Sequence, residues 1–115
     1  MSRKLDVAVA EALGRKVELK NLGEYGVNLF YQVSQTDKTS PFAVVPHYST
    51  DGNAMLELDR EMRARGWELS TDYIRSYGFT ALYMNARSDE HKATADTMPL
   101  SVALAAYKAL TGEEW

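Results

Sequence analysis

Residues 48–67, Tyr-Ser-Thr-Asp-Gly-Asn-Ala-Met-Leu-Glu-Leu-Asp-Arg-Glu-Met-Arg-Ala-Arg-Gly-Trp, contain a helix whose start and stop are both written in the sequence. Ser49 or Thr50 is the expected N-cap, and Asp51 falls in or just before the first turn, where a carboxylate meets unpaired amides and the positive dipole end. Ala54, Met55, Leu58 and Met62 recur at the spacing of one buried stripe, and Gly66 ends the helix. Asp59 with Arg63 and Glu61 with Arg65 stand at the i, i+4 spacing of exposed ion pairs. A one-striped helix must bury that stripe against another element, so the flanking segments decide the fold.

Upstream, Leu5, Ala8, Val9, Ala12 and Leu13 give a second helix over residues 3–13 one apolar face, with Ser2 as its cap and Gly14 as its left-handed exit. Residues 15–20 read as an edge strand or lead-in. Residues 27–34 alternate cleanly, and the polar turn at 36–41 leads into an apolar strand at 42–45, closed by Pro46, giving a hairpin. Downstream, residues 67–73 and 79–84 form a second hairpin turning at 76–78. Residues 85–96 are polar and without period, the pattern of an exposed loop. Thr97 caps a last helix with Pro99 in its first turn and Leu100, Ala103, Leu104, Tyr107 and Leu110 as its inner stripe, ending at Gly112. The expectation is an α+β fold in one domain over residues 1–115. Its antiparallel sheet of four to five strands is covered by helices, in the order helix-hairpin-helix-hairpin-helix.

At 115 residues, 45% apolar and 25% charged, the chain suits one modest core and is neither disordered nor membrane-spanning in composition. No signal peptide is read at its start, so the protein is expected to stay where it is made. The absence of cysteine removes disulfides, thiolate metal sites and a cysteine nucleophile. A net charge of −3 disfavours extensive nucleic-acid binding.

His47, Ser49 and Asp51 are the residue types of a hydrolase triad, but a triad converges from separated segments, whereas these enter one helix together, and capping explains them. His47 and His91 with Asp51 or Asp89 make a poor metal set, lacking both helical pairing and cysteine. Gly52 opens a helix N-terminus that suits an anion, yet Asp51 already places a negative charge there. Arg60, Arg63 and Arg65 form a basic helix end that complements the dipole and also suits phosphates or an acidic partner, with Arg75 expected near it. Tyr25, Phe30, Tyr31, Phe42, Tyr73, Tyr77, Phe79 and Tyr83 crowd the two hairpins. Either helices cover both sheet faces, which is the expectation, or an aromatic surface remains for a partner or a nucleobase.

Tyr48-Ser49-Thr50-Asp51 with its apolar helix and Gly66, a two-strand segment, and Ala95-Asp96-Thr97-Met98-Pro99 opening an alanine-rich helix together resemble the phage ABA sandwich domain family, over residues 5–110. The resemblance implies an α/β/α layered fold and a phage-encoded protein made in the bacterial host cytoplasm. It brings no catalytic residues, metal or cofactor. The functional expectation is a non-catalytic binding protein that inhibits a host defence system, its partner being a defence protein or a small signalling nucleotide. Arg60, Arg63, Arg65, Arg75, Phe30 and Tyr77 are the candidate binding residues. The alternative is an accessory protein of phage assembly or genome handling, acting as a homo-oligomer through Trp115 and the surplus hairpin aromatics.

Overall fold

The computed structural model describes residues 2–21, 28–33 and 42–115, with the backbone alone described at 2, 3, 16, 18–21, 28–33 and 42–44. In chain order the elements are α1 (Ser2–Ala12), β1 (Lys16–Asn21), β2 (Asn28–Val33), β3 (Phe42–Val44), α2 (Gly52–Ala64), β4 (Glu68–Ile74), β5 (Gly78–Met84), β6 (Glu90–Ala95) and α3 (Met98–Thr111). The strands form two separate three-stranded antiparallel sheets, ordered β1-β2-β3 and β4-β5-β6. This overturns the single sheet of four to five strands and the helix-hairpin-helix-hairpin-helix order. α1 and α2 are each followed by a strand group, but the groups have three strands each and do not merge. The expected turn at 36–41 and the position of Tyr25 lie outside the described residues.

The strand missing from the sequence expectation is β6, in the segment read as a loop. It pairs with β5 from Phe79↔Ala95 to Met84↔Glu90. Its inward positions are His91, Ala93 and Ala95, and its outward ones include Lys92 and Thr94, so it has none of the β-branched or aromatic alternation that marks a strand. Small inward residues suit their neighbour, because α3 lies against β5 and β6.

α3 is packed on two sides, by the second sheet and by α1 and α2. Its buried residues, Ser101, Val102, Ala103, Ala105 and Ala106, spread over more than half of the helix circumference. Of the expected stripe of Leu100, Ala103, Leu104, Tyr107 and Leu110, Ala103 is fully buried and the other four are only half-buried. A helix buried on two sides loses its amphipathic signature, which is why the single-stripe reading failed here. It held for α2, where Ala54, Leu58 and Met62 are buried, and for α1, where Leu5, Val9 and Leu13 are.

The second sheet is covered on one face only. Ala81, Tyr83 and Ala93 point inward and are buried, while Ser70, Asp72, Ile74, Met84, Lys92 and Thr94 on the other face are exposed. Helical cover on both faces of this sheet is therefore corrected.

The turn before α2 is tied to α1 rather than used as a cap. Asp6, fully buried, accepts the backbone N–H of Ser49 at 2.9 Å. The buried Tyr48 hydroxyl accepts from Arg15 Nη1 at 3.2 Å, and Arg15 in turn pairs with Glu61. Arg65 donates to the carbonyl of Leu13 at 2.8 Å, satisfying the end of α1. With Ser49 so engaged, the N-cap is Asp51, which accepts the Asn53 N–H at 3.1 Å. The expected Glu61–Arg65 pair gives way to these contacts with α1. Thr97 caps α3 as expected, accepting the Leu100 N–H.

Removing the Asp6 carboxylate leaves the Ser49 amide buried without that acceptor. Asp6→Ala is expected to lower stability by about 2 kcal/mol in urea unfolding, and Asp6→Asn, which keeps an oxygen acceptor, by about half as much.

Candidate functional site

α2 ends where a close turn leads directly into β4. Gly66, at φ 91°, permits that turn, and Trp67 donates its N–H back to the Met62 carbonyl at 3.0 Å. The turn opens a cleft of about 440 Å³ lined by Arg63, Gly66, Trp67, Glu68 and Leu69. A smaller hollow of about 160 Å³, lined by Gly66, Glu68, Met84, Asn85 and Ala86, adjoins it.

Arg63 is held at the cleft from behind. Its Nε lies 2.9 Å from Asp59 Oδ2 in an ion pair, and the other oxygen of Asp59 accepts from the Tyr83 hydroxyl at 3.1 Å. The i, i+4 pair expected from the sequence forms, with the Arg63 side chain 68% exposed, but its acidic partner is not on the surface: Asp59 is 8% exposed and Tyr83 behind it is fully buried. Only Nε of Arg63 is used, and its two terminal amino groups have no protein partner among the described residues. They can grip a carboxylate or phosphate in the two-pronged geometry of guanidinium. Trp67 is half-buried beside it, with its ring edge-on to His91 at 5.6 Å. Glu68 adds a carboxylate to the lining of the cleft.

The expected binding residues do not form one cluster. Arg63 lines the cleft, Arg65 is spent on the end of α1, and Arg60 is exposed on α2. Arg75 lies beyond the far end of β4, about 20 Å of strand away from Gly66, so it does not join the other arginines. It stands instead at a hairpin tip with Tyr77, 73% exposed, next to Ile74 and Tyr73 at 44% and 58%. Phe30 lies in β2, where only the backbone is described. Tyr83, Asp59, Trp67 and Glu68 were not singled out as site residues. Tyr83 and Trp67 read as core alternation, and only register shows that Tyr83 meets α2.

His47 and Asp51 are exposed and Ser49 is bound to Asp6, so the three do not converge. Among the described residues, no group of three His, Asp or Glu side chains is placed to hold a metal. No described helix is long and apolar enough to cross a membrane.

Burial pushes the Tyr48 hydroxyl up to about 12. Burial, then the charge and hydrogen bond of Asp59, push Tyr83 well above the ordinary tyrosine range. A raised tyrosine favours the folded state fully below the unfolded value near 10, and that contribution disappears as pH climbs through the folded value. The contribution of these two tyrosines to the unfolding free energy should therefore be constant below about pH 10, and the unfolding free energy should fall as pH rises from about 10 to 12. Tyr83→Phe should flatten part of that fall and cost about 1–2 kcal/mol at neutral pH, by leaving Asp59 one donor short. Urea unfolding at stepped alkaline pH measures both.

No family model matches this chain, and no curated protein matches it. A crystal structure at 2.0 Å of a phage protein from Bacillus cereus ATCC 14579 is similar in fold, with a TM-score of 0.74 over 100% of this chain and 91% of that one, at 10% sequence identity. At that identity the likeness is one of fold alone. The family resemblance read from the sequence thus stands at a coarser level: this chain has the fold of a phage protein.

Proposed function

We propose that this chain is a non-catalytic, phage-encoded binding protein of the bacterial host cytoplasm that inhibits host defence by capturing a signalling nucleotide in the cleft at the end of α2. The observation that carries this reading is Arg63, fixed through Asp59 and Tyr83 with two amino groups free, next to the Trp67 ring. A guanidinium and an indole on one wall suit a ligand that is both anionic and planar. The Glu68 carboxylate in the same lining suits ribose hydroxyls or an exocyclic amine as donors.

Calorimetric titration with a panel of linear and cyclic nucleotides tests this. At least one is expected to bind, and Arg63→Ala to weaken it by ten- to a hundredfold, about 1.5–3 kcal/mol for a charged hydrogen-bonding group. No heat from any nucleotide at millimolar concentration would reject the reading. A host defence protein as the target is the second reading, favoured by the exposure of Tyr77 and Arg75 at the hairpin tip, since Tyr and Arg dominate binding hot spots. A photo-crosslinking residue at position 77, but not at position 113, would then trap one host protein during infection.

A further inference from the structure

Strand β4 is the edge of the second sheet, and every residue from Ser70 to Ile74 is exposed, including Thr71 and Tyr73 on the otherwise covered face. Tyr77 donates to the Ile74 carbonyl at 2.9 Å to close the hairpin, so Ile74 faces β5. In an antiparallel pair the backbone groups of successive residues alternate in direction, which turns those of Leu69, Thr71 and Tyr73 to the free edge. An independent contact agrees: the Tyr73 N–H is bonded to the Asp72 carboxylate at 2.8 Å, not to β5. A seven-residue strand thus offers three positions with no strand partner among the described residues, with a single carboxylate guarding one of them.

We infer that this edge takes the β4 edge of a second copy of the chain, antiparallel about a two-fold axis through Thr71, so that two three-stranded sheets join as one and each hairpin tip reaches the cleft of the other subunit. The register follows from charge. Centring on Asp72 would oppose two carboxylates, which is unfavourable. Centring on Thr71 opposes Asp72 to Ser70 of the partner subunit, a hydroxyl that can donate to the carboxylate, and Tyr73 to Leu69 of the partner subunit. All three free positions are then used, in about six main-chain hydrogen bonds, and the Tyr73 amide exchanges its own Asp72 for a carbonyl across the axis.

The ends of the strand are complementary in the same register. Glu68 begins β4 and Arg75 follows its last residue. Antiparallel pairing sets Ile74 opposite Glu68 of the partner subunit and carries Arg75 and Tyr77 alongside the partner's Trp67 and the partner's Glu68. The exposed tip and the cleft, about 20 Å apart along one chain, become neighbours across the axis. Arg75 and Tyr77 are then the mouth of the partner's cleft. The pairing is made by main-chain groups of the strand edge and its tests read association and not nucleotide binding, so it stands or falls separately from nucleotide capture.

The chain has no cysteine, which gives a clean test. Thr71→Cys places two thiols across the axis at a Cα separation of about 5.5 Å, within disulfide range. Mild oxidation should give covalent dimer as the main product, while Ser70→Cys, whose opposite residue is Asp72, gives at least about tenfold less. Analytical ultracentrifugation of the unmodified chain should show a dimer. Thr71→Pro, which removes only an edge-facing N–H, should raise the dissociation constant at least about tenfold with unchanged circular dichroism. A monomer at all concentrations up to about 0.1 mM, a dimer unaffected by Thr71→Pro, or equal crosslinking through positions 70 and 71 would overturn the proposal. Should Thr71→Pro not fold, the crosslinking pair decides alone.

Discussion

The packing of α3 on two sides is the constraint from which the rest of the structure follows. A helix between a sheet and two other helices cannot carry large side chains on both sides without forcing the layers apart. α3 meets this with Ser101, Val102, Ala103, Ala105 and Ala106, four of them apolar and all fully buried. The Ser101 hydroxyl is satisfied by the Met98 carbonyl at 2.8 Å, so burial leaves it no unmet donor. Close approach then dictates small residues on the opposing strand, and Ala93 and Ala95 of β6 supply them. The large buried side chains of the same core, Tyr83, Leu58, Met62, Leu5 and Val9, come from β5, α2 and α1 rather than from α3.

Charge serves architecture first. Arg15 and Arg65 each join two segments, through Glu61 and Tyr48 and through the Leu13 carbonyl. Their longest sequence separations, 33 to 52 residues, show that these contacts fasten α1 to the start and end of α2 rather than decorating one helix. Arg63 differs in pairing with a residue of its own helix, through Nε alone, at the wall of the cleft. That partial engagement fixes its position while leaving its fork open, a combination that a fully solvated arginine lacks.

Helix ends and amphipathic stripes were legible because they are local. Gly66, Thr97 and Gly112 act as read, as do the stripes of α1 and α2. What failed depended on the neighbour. β6 has no strand signal of its own, since its inward residues answer to α3 and not to any propensity. Ser49 reads as a cap until Asp6, forty-three positions earlier, is found on its amide. The two sheets remained unseparated in the sequence because alternation marks a strand without naming its partner. In the site, Arg63 was visible as a charge, but its fixation by Tyr83 depends on strand register. Arg75 was misplaced because proximity to the end of β4 was not distinguished from proximity to the end of α2.

Gly78 begins β5 at φ 89°, and a Cβ there would lie 2.6 Å from the carbonyl oxygen of Ala95. The tip of the β4–β5 hairpin is thus seated against the last residue of β6, two positions before the Thr97 cap of α3. Residues 75–77 can vary in chemistry without disturbing the fold, while position 78 cannot accept any side chain without shifting the entry to the central helix. The molecule therefore has a loop open to diversification, anchored on a hinge point that is closed to it.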